Sequence, residues 1–453
     1  MVFLINSPLF RETTDYDHED SLPPIGLGLI ATHLQNNHIP VKLLDAVFHK
    51  TSIEALKNIL NQTKPEFIGI NIFTTNYEIV KELIESIGFS THILIGGLAT
   101  KALYGQIIEW TTTNQIDVVI GDGELITLAL VSNMINEKPI LERSNRRVFK
   151  INSSSHYFLA DISDVPLDRE FFTNEPGTNH YGVLEANLIT GRGCTHNCTF
   201  CAAARQLNLD TRVRERSESS IIKELSEIQN EHPDVLSIRI LDDLFLKSRK
   251  SIIKAVTIFS NFKYQWRSMA HISTFNHVEL SDLIALKESG CNELFIGIES
   301  GSPRILKEIN KTDDRGVIIR NLTKIFESGI NVKGYFIFGF PGERLDDMKS
   351  TYNLAYDIKQ ISIEYHSNFR TSVFQFRLYH GSEIYNTLNK THCIQSYQMI
   401  PNQELTSLIG RSQYNFQSRN FSKVCLRTIH KYICMTNDLN GSSIYSEGTP
   451  TIH

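Results

Sequence analysis

The sequence of 453 residues lacks both a long apolar run and an excess of positive charge. Its longest apolar runs, such as the one at 67–73, have the length of a strand, whereas a membrane-spanning helix needs about 20 apolar residues. The 45 Lys and Arg residues are outnumbered by 50 Asp and Glu residues, which leaves a formal net charge of -5. No global positive field would attract nucleic acid or an anionic membrane, so neither is an expected partner.

Cysteine is also scarce, and its distribution argues against a disulfide framework. The chain has seven cysteines, an odd number, and three of them fall within 194–201. This pattern is typical of a metal site in a reducing compartment. The first ten residues lack the basic head and the small-residue cleavage site of a signal peptide, so we predict a strand there. A cytoplasmic protein is therefore expected.

Short apolar runs alternate with amphipathic stretches over residues 1–145. The apolar runs are rich in β-branched residues and are predicted to be buried strands, at 2–5, 41–44, 67–72, 93–95 and 118–120. The stretches between them carry apolar residues at the helical period. Alternation of this kind predicts an α/β fold with a parallel sheet, a Rossmann-like doubly wound domain.

The alternation of apolar runs and amphipathic stretches stops at 146–185. This segment contains a serine run and several prolines and glycines, and it is predicted to be a linker. A second strand–helix series follows over 186–385. Six repeats in this length predict a partial (β/α)6 barrel, because a complete barrel needs eight. The chemistry of such a barrel belongs at the carboxyl ends of its strands. Residues 386–453 form a C-terminal extension that the sequence leaves unassigned.

Three cysteines lie on one short segment, directly after the first strand of the second series. Cys194, Cys198 and Cys201 follow two glycines, and an aromatic residue, Phe200, precedes the last cysteine. A cubane iron–sulfur cluster normally takes four thiolates, so three thiolates leave one iron open to a small ligand. The alternative is a zinc site in which His196 completes a Cys3His set. The other four cysteines show no such spacing, and we predict that they are buried thiols.

This C-x3-C-x2-C motif resembles the signature of the radical S-adenosylmethionine (SAM) superfamily, and the resemblance extends over residues 185–385. It implies a [4Fe-4S] cluster on Cys194, Cys198 and Cys201. In that family the open iron binds SAM, and an electron from the cluster cleaves it to methionine and a 5′-deoxyadenosyl radical. A flavodoxin- or ferredoxin-type protein is then the implied reductant.

Three further strand-end segments match the family's SAM-binding positions. The second strand ends at two carboxylates suited to the methionine amine, and the fourth and fifth strands end at residues implied to contact the ribose and the adenine. These cofactor-binding candidates are Asp242, Asp243, Glu299, Ser300, Gly339 and Pro341. After the sixth strand, Arg377, Tyr379 and His380 either face the substrate or belong to a loop that closes the barrel.

The N-terminal domain resembles the cobalamin-binding domains that precede such barrels. The segment 21–31 is similar to their entry motif, P-P-x-G-L-x-x-I-A, and two later loops are similar to their G-G and G-E-G-E motifs. The residues implied to bind the cofactor are Gly26, Gly96, Gly97, Gly121, Gly123 and Glu124. The chain lacks the D-x-H-x-x-G motif that supplies a histidine beneath cobalt in other cobalamin proteins. A purely structural Rossmann domain is the alternative.

Taken together, these motifs favour a cobalamin-dependent radical SAM methyltransferase. The resemblance implies methylation of an unactivated centre in a small-molecule or peptide substrate, with SAM, the cluster and cobalamin as cofactors. One alternative is a radical cyclisation or rearrangement without methyl transfer, in which the N-terminal domain is structural. The other is a non-enzymatic iron–sulfur or zinc scaffold, which would not cleave SAM.

Overall fold

The computed structural model describes residues 1–8, 22–179, 181–311, 314–390 and 420–441. They form two compact units. The first contains the described residues within 1–175, 208–212 and 379–405, and the second contains those within 176–207, 213–378 and 406–453. No helix within the described ranges is both long enough and apolar enough to cross a lipid bilayer.

The elements are numbered in chain order. The strands are β1 Val2–Asn6, β2 Val41–Asp45, β3 Phe67–Asn71, β4 His92–Gly96, β5 Gln115–Ile120, β6 Leu141–Arg143, β7 Arg146–Lys150, β8 Gly177–Thr178, β9 Leu184–Leu188, β10 Gly191–Arg192, β11 Arg214–Glu215, β12 Ser237–Ile240, β13 Gln265–Ala270, β14 Cys291–Glu299, β15 Asn331–Phe338 and β16 Phe369–Gln375. The α-helices are α1 Ile25–Asn36, α2 Ile53–Thr63, α3 Tyr77–Glu85, α4 Thr100–Ile107, α5 Glu124–Val131, α6 Glu218–Glu231, α7 Arg249–Phe259, α8 Leu280–Glu288, α9 Pro303–Glu308, α10 Arg315–Glu327, α11 Leu345–Glu364, α12 Glu383–Lys390 and α13 Leu426–Asn437.

The first unit is built on a seven-stranded sheet in the order β2-β1-β3-β4-β5-β7-β6. Every neighbouring pair is parallel except β6 and β7. One face packs Ile5 and Ile70 against α2, α3 and α4, and the other packs Val2 and Leu4 against α1. Burial on both faces explains why these strands are continuous apolar runs. The predicted Rossmann-like fold is confirmed.

Strand β7 lies inside the segment predicted to be a linker, so the sheet extends beyond residue 145. Its residues Val148 and Phe149 are fully buried. The charged residues Arg146 and Arg147 precede them, so the sequence lacks the apolar run that is typical of a buried strand. Arg147 reaches the buried carboxylate of Asp117 on β5 at 2.6 and 2.8 Å, and His92 Nε2 lies 2.7 Å from the same carboxylate. Buried ion pairing therefore makes a charged segment part of the sheet. The predicted linker also contains β8 at its other end.

The second unit contains a seven-stranded sheet in the order β16-β15-β14-β13-β12-β9-β8. Six of these strands, β9 and β12 to β16, are parallel neighbours, and the short β8 pairs antiparallel with β9. The helices α6 to α11 connect them. This arrangement confirms the predicted partial (β/α)6 barrel.

Alternation along β13 sends two large side chains to opposite faces of this sheet. Arg267 lies between two carboxylates, 2.7 Å from Glu185 on β9 and 3.5 Å from Glu293 on β14. Trp266 instead stacks on Phe259 of α7, with ring centroids 4.8 Å apart. The arginine therefore faces the interior of the barrel and the tryptophan faces the helices, a choice that the sequence leaves open.

Helix α13 lies against β16, the edge strand of the barrel sheet. The side-chain amide of Asn440 accepts a hydrogen bond from the N–H of Thr371 at 2.6 Å and donates to its carbonyl at 3.2 Å. The hydroxyl of Thr371 donates to the carbonyl of Thr436 on α13. An uncovered edge strand presents free backbone groups to other chains. This part of the C-terminal extension therefore closes the free edge of the barrel.

Candidate functional site

The three motif cysteines lie on a loop that begins after β9 and β10, at the carboxyl edge of the barrel. The loop turns tightly: the N–H of Cys201 donates to the carbonyl of Cys198 at 3.1 Å, and Gly193 has a φ of 90°. The backbone N–H of His196 points to Cys194 Sγ at 3.5 Å. All three thiols are free, Cys198 is buried, and the other two are half-buried. The structure therefore brings the predicted cluster ligands onto one loop.

The electrostatics of these thiols fit a metal-cluster site. Burial raises the pKa of Cys194 and Cys198, and it raises the pKa of Cys201 to about 12. The neighbouring cysteines add to this rise for Cys201. Thiolates packed this way need a compensating positive charge, which iron would supply on binding.

The geometry does not form the alternative zinc site. Among the described residues, no group of three or more His, Cys, Asp or Glu side chains converges as the ligands of a single metal ion would. His196 instead stacks on the ring of His271, with centroids 3.6 Å apart. A cubane presents separate irons to its ligands, so its thiolates need not converge on one point. The Cys3His reading is therefore not supported.

The two carboxylates after β12 hold the start of the cysteine loop. Asp242 accepts hydrogen bonds from the N–H and the hydroxyl of Thr190, at 2.7 and 2.5 Å, and burial raises its pKa to about 6. Asp243 is exposed and accepts one bond, at 3.1 Å, from the N–H of Gly193. Asp243 thus has the more accessible carboxylate. A contact of either residue with the SAM amine stays a prediction.

The residues at the end of β14 have different environments. Glu299 adopts a left-handed conformation with a φ of 67°, and its carboxylate lies 3.4 Å from Lys311 Nζ. Ser300 is fully buried, and its hydroxyl bonds that of Thr351 at 3.0 Å. Their predicted contacts with the ribose stay predictions, and the hydroxyl of Ser300 is already engaged within the protein.

Lys311 is a residue of this site that the sequence motifs did not reveal. Its ammonium group donates to the carbonyl of Gly297 at 3.0 Å and pairs with Glu299. Its positive charge also favours the thiolate forms of Cys194 and Cys198, against the larger effect of their burial on their pKa. A single lysine after a helix carries no motif, so only the folded structure identifies it.

A buried carboxylate forms hydrogen bonds with the backbone of the loop after β15. Glu343 accepts hydrogen bonds from the N–H groups of Gly339 and Phe340, at 2.5 and 3.1 Å, and burial raises its pKa to about 8. Gly339 has a φ of 94°, which favours glycine. The ring of Phe340 lies 5.8 Å from that of Phe200 in the cysteine loop. The adenine contacts of Gly339 and Pro341 stay predictions.

The C-terminal extension also reaches this loop. The N–H of Gly342 donates to the carbonyl of Phe421 at 3.0 Å, and the N–H of Lys423 donates to the carbonyl of Glu343 at 2.8 Å. The other cysteines, all predicted to be buried, differ in exposure: Cys291 on β14 is buried and Cys434 on α13 is half-buried, but Cys425 is exposed, contrary to prediction. Cys393 lies outside the described residues.

The glycines of the N-terminal domain divide into two groups. A Cβ on Gly97 would lie 2.8 Å from the backbone of Ile72, and one on Gly121 would lie 2.2 Å from the carbonyl oxygen of Ile151. Both have positive φ, at 103° and 108°, so the fold itself requires them. By contrast, a Cβ on Gly96 would meet no described heavy atom within 4 Å apart from its chain neighbours.

The remaining cobalamin-site candidates lie on or beside two helices. Gly26 is exposed in the first turn of α1, and a Cβ there would also enter open space. Gly123 packs close to Ile30, and Glu124 is the buried first residue of α5. Open strand-end space at Gly96 fits a bulky ligand at the carboxyl edge of this sheet. Individual contacts of these residues with cobalamin stay predictions.

A buried polar network crosses the same sheet edge and was not foreseen. Asn6 donates to Asp45 at 2.7 Å, Asn71 donates to Asn6 at 2.8 Å, and the hydroxyl of Ser7 donates to the carbonyl of Asn71 at 2.7 Å. These residues end three neighbouring strands, β1, β2 and β3. The network therefore fixes the relative positions of the loops that follow the strands.

In the segment after the sixth barrel strand, Arg377 belongs to the second unit, and the described residues from Tyr379 onward belong to the first. The N–H of His380 donates to the hydroxyl of Thr74, just after β3, at 3.2 Å. Gly381 has a φ of 81°, and a Cβ there would lie 2.9 Å from Ala102 of α4. His380 and Gly381 thus lie at the carboxyl edge of the N-terminal sheet. The substrate-facing role of Arg377, Tyr379 and His380 stays a prediction.

Comparison with known proteins identifies both parts of the chain. The Radical SAM superfamily model matches residues 188–355, and the B12 binding domain model matches residues 18–131. An uncharacterized methyltransferase of Pyrococcus horikoshii is 27% identical over 358 residues, which are 76% of this chain and 74% of that protein. The cytidylyl-2-hydroxyethylphosphonate methyltransferase of Streptomyces wedmorensis is 23% identical over 420 residues, 78% of this chain and 76% of that protein.

Two solved structures share the fold over nearly the whole chain. The cobalamin-dependent SAM radical enzyme OxsB, with aqua-cobalamin and SAM bound, has a TM-score of 0.62 at 16% identity, covering 96% of this chain and 65% of that one. The radical SAM methyltransferase TsrM of Kitasatospora setae, with cobalamin and a [4Fe-4S] cluster bound, has a TM-score of 0.63 at 15% identity, covering 97% and 88%. The fold of both domains agrees with these two structures. Residues 188–355 therefore form a radical SAM domain and residues 18–131 a B12-binding domain, with a [4Fe-4S] cluster, SAM and cobalamin as their cofactors.

Proposed function

We propose that this enzyme is a cobalamin-dependent methyltransferase that acts on an unactivated centre of a small-molecule or peptide substrate. One observation carries the proposal: the two relatives that match about three quarters of the chain are named methyltransferases, and their matches span both domains. The described residues leave open space beside Gly96 at the end of β4, where a cofactor could be admitted.

When bound, the cluster supplies the electron that cleaves SAM, and cobalamin supplies a carrier for the methyl group. The protein's part is to hold and orient these groups. Cys194, Cys198 and Cys201 would ligate the cluster, and Asp242 anchors the segment that leads into their loop. Lys311 would balance part of the negative charge that the thiolates bring to this edge of the barrel.

The barrel interior suits a small substrate rather than a macromolecule. Its layer nearest the amino ends of the strands is filled by the buried ion pairs of Arg267 and Arg370 with Glu185 and Glu293. Chemistry is thereby confined to the carboxyl edge. TsrM has been observed with a tryptophan substrate and a SAM analogue, an example of a small substrate on this fold. We further propose a cytoplasmic location and a flavodoxin- or ferredoxin-type reductant.

The test begins with protein purified and reconstituted without oxygen in the presence of hydroxocobalamin. After removal of free cofactor, about four irons and about one cobalt per chain are expected. Incubation with SAM, a reductant and candidate substrates should then yield S-adenosylhomocysteine as well as 5′-deoxyadenosine. Deoxyadenosine without S-adenosylhomocysteine would indicate a rearrangement or cyclisation instead. Four irons with no retained cobalt would contradict cobalamin dependence.

A further inference from the structure

A pair of stacked histidines lies beside the cysteine loop. His196 is within the motif, and its ring stacks on that of His271 with centroids 3.6 Å apart and planes 16° apart. His271 directly follows β13, so it lies at the same carboxyl edge of the barrel as the cysteines. Its position belongs to no motif that the sequence displays.

The hydrogen bonds of His271 determine which nitrogen carries its proton. The backbone N–H of Ser273 donates to Nδ1 at 3.2 Å, and the hydroxyl of Ser273 lies 2.7 Å from the same nitrogen. A backbone N–H can only donate, so Nδ1 is an acceptor and the proton resides on Nε2.

Nε2 is therefore a hydrogen-bond donor, and it is buried from solvent. His271 is 8% exposed, and Nε2 is buried without a hydrogen-bond partner among the residues that the structure describes. Buried donors in folded proteins are nearly always paired, with the protein, with water or with a ligand. An unsatisfied donor beside a cofactor loop indicates an acceptor that arrives with the cofactors.

The charges at this edge indicate an anionic acceptor. Lys311 is close enough for its positive charge to act on both histidine rings as well as on the cysteines. The groups that bind here bring negative charge, as cluster sulfides and as the carboxylate of SAM. Hydrogen bonds from N–H groups to cluster sulfur are one of the means by which proteins adjust the potential of a cluster.

We propose that the Nε2–H of His271 donates a hydrogen bond to an anionic acceptor of the loaded site, either a sulfide of the [4Fe-4S] cluster or the carboxylate of SAM. His196 holds the donating ring in position by stacking on it. This role needs only the cluster and SAM, so it is independent of the proposed methyl transfer.

The test compares His271→Phe, which keeps a flat ring against His196 but removes the donor, with wild-type protein. If the acceptor is a sulfide, the reduced cluster loses a stabilising donor. Its midpoint potential, measured by electron paramagnetic resonance without SAM, then falls by about 59 mV, a tenfold change in a one-electron equilibrium. If the acceptor is the SAM carboxylate, that potential is unchanged and the Kd for SAM rises about tenfold.

Two variants serve as controls. His277→Phe alters an exposed histidine on the same segment and should change neither value. His271→Gln retains a donor and should restore at least part of whichever value the phenylalanine changes. The proposal is overturned if His271→Phe, carrying about four irons, has both the wild-type potential and the wild-type SAM affinity.

A second measurement tests the proposal if the His271→Phe variant does not assemble its cluster. Wild-type protein labelled with ring-¹⁵N histidine should show a ¹⁵N coupling to the reduced cluster by pulsed electron paramagnetic resonance. The coupling should persist in His196→Phe, which removes the other nearby histidine nitrogens but keeps a flat ring stacked against His271. Its absence from that variant, both with and without SAM, would equally overturn the proposal.

Discussion

The carboxylate of Asp242 accepts hydrogen bonds from both the backbone N–H and the hydroxyl of Thr190. Thr190 follows β9 and precedes Cys194 by four residues, whereas Asp242 follows β12, the neighbouring strand. One strand end therefore determines where the cysteine loop of the next strand begins. Two donors on one buried carboxylate form a strong, directional anchor.

Substitution Asp242→Asn should weaken retention of the cluster. An amide offers only one acceptor atom to the two donors of Thr190, so one of these bonds is lost. We expect the iron of the reconstituted variant to be lost to a chelator about tenfold faster than that of the wild type. Asp243→Asn, which changes a single bond to Gly193, should have a smaller effect. Equal rates for Asp242→Asn and wild type would contradict the anchoring role.

Removal of the cation from the pair formed by Lys311 and Glu299 should destabilise the barrel. Lys311→Met leaves a buried carboxylate without its partner, and we expect a loss of about 3 kcal/mol in the free energy of unfolding of the cluster-free protein in urea. The double variant Lys311→Met/Glu299→Gln removes the buried charge and should recover much of that loss. A double variant as unstable as the single one would show that the loss has another origin.

The buried carboxyl of Glu343 should make stability depend on pH. Its pKa is raised from the ordinary value of 4.5 to about 8 by burial. Between these values the folded protein holds a proton that the unfolded chain has released, so stability is greatest at the acid end of the window and is lost as the pH rises through it. Relative to Glu343→Gln, the wild type should lose about 1.4 kcal/mol of unfolding free energy per pH unit.

Urea unfolding of both proteins at several pH values between 5 and about 8 would test this expectation. The difference between the two proteins isolates Glu343 from the other titrating groups. Parallel stability curves for the wild type and the glutamine variant would mean that the carboxyl is ionised throughout the window.

A side chain at Gly96 should interfere with cobalamin and not with folding. A Cβ there enters open space at the end of β4, so Gly96→Val should leave the melting temperature of the cofactor-free protein nearly unchanged. Retained cobalt per chain should fall several-fold, because the side chain would occupy part of the space that the cofactor needs. Gly88→Val, at an equally open position before β4, is the matched control. Full cobalt retention by Gly96→Val would place the cofactor elsewhere.

Sequence alone was sufficient for the elements whose apolar pattern is simple. The predicted strands at 2–5, 41–44 and 67–72 match β1, β2 and β3. Strands β1 and β3 are buried on both faces, which leaves an unbroken apolar run in the sequence. The cysteine loop and the six-strand barrel could also be predicted from the sequence, because the motif spacing and the strand–helix repeat are local patterns. The linker prediction differed at β7 because Arg146 and Arg147 mask a buried strand.

The remaining site residues depend on contacts between distant parts of the chain. Lys311 reaches Glu299 only because the segment after α9 folds back over the end of β14, and His271 meets His196 from a strand two places away in the sheet. The contact of His380 with Thr74 joins residues 306 positions apart. No local pattern marks such side chains, because their function comes from tertiary proximity and not from spacing.

The pairing of Asn440 with the edge of β16 has a consequence for the protein during its synthesis. Thr371 and Asn440 are separated by 69 residues, so the last barrel strand leaves the ribosome well before the residues that cover it. At 5–20 residues per second, the nascent chain carries this bare edge for about 3–14 s. During that interval the strand can pair with another nascent chain, so slower translation of the intervening codons should increase the share of protein lost to aggregation.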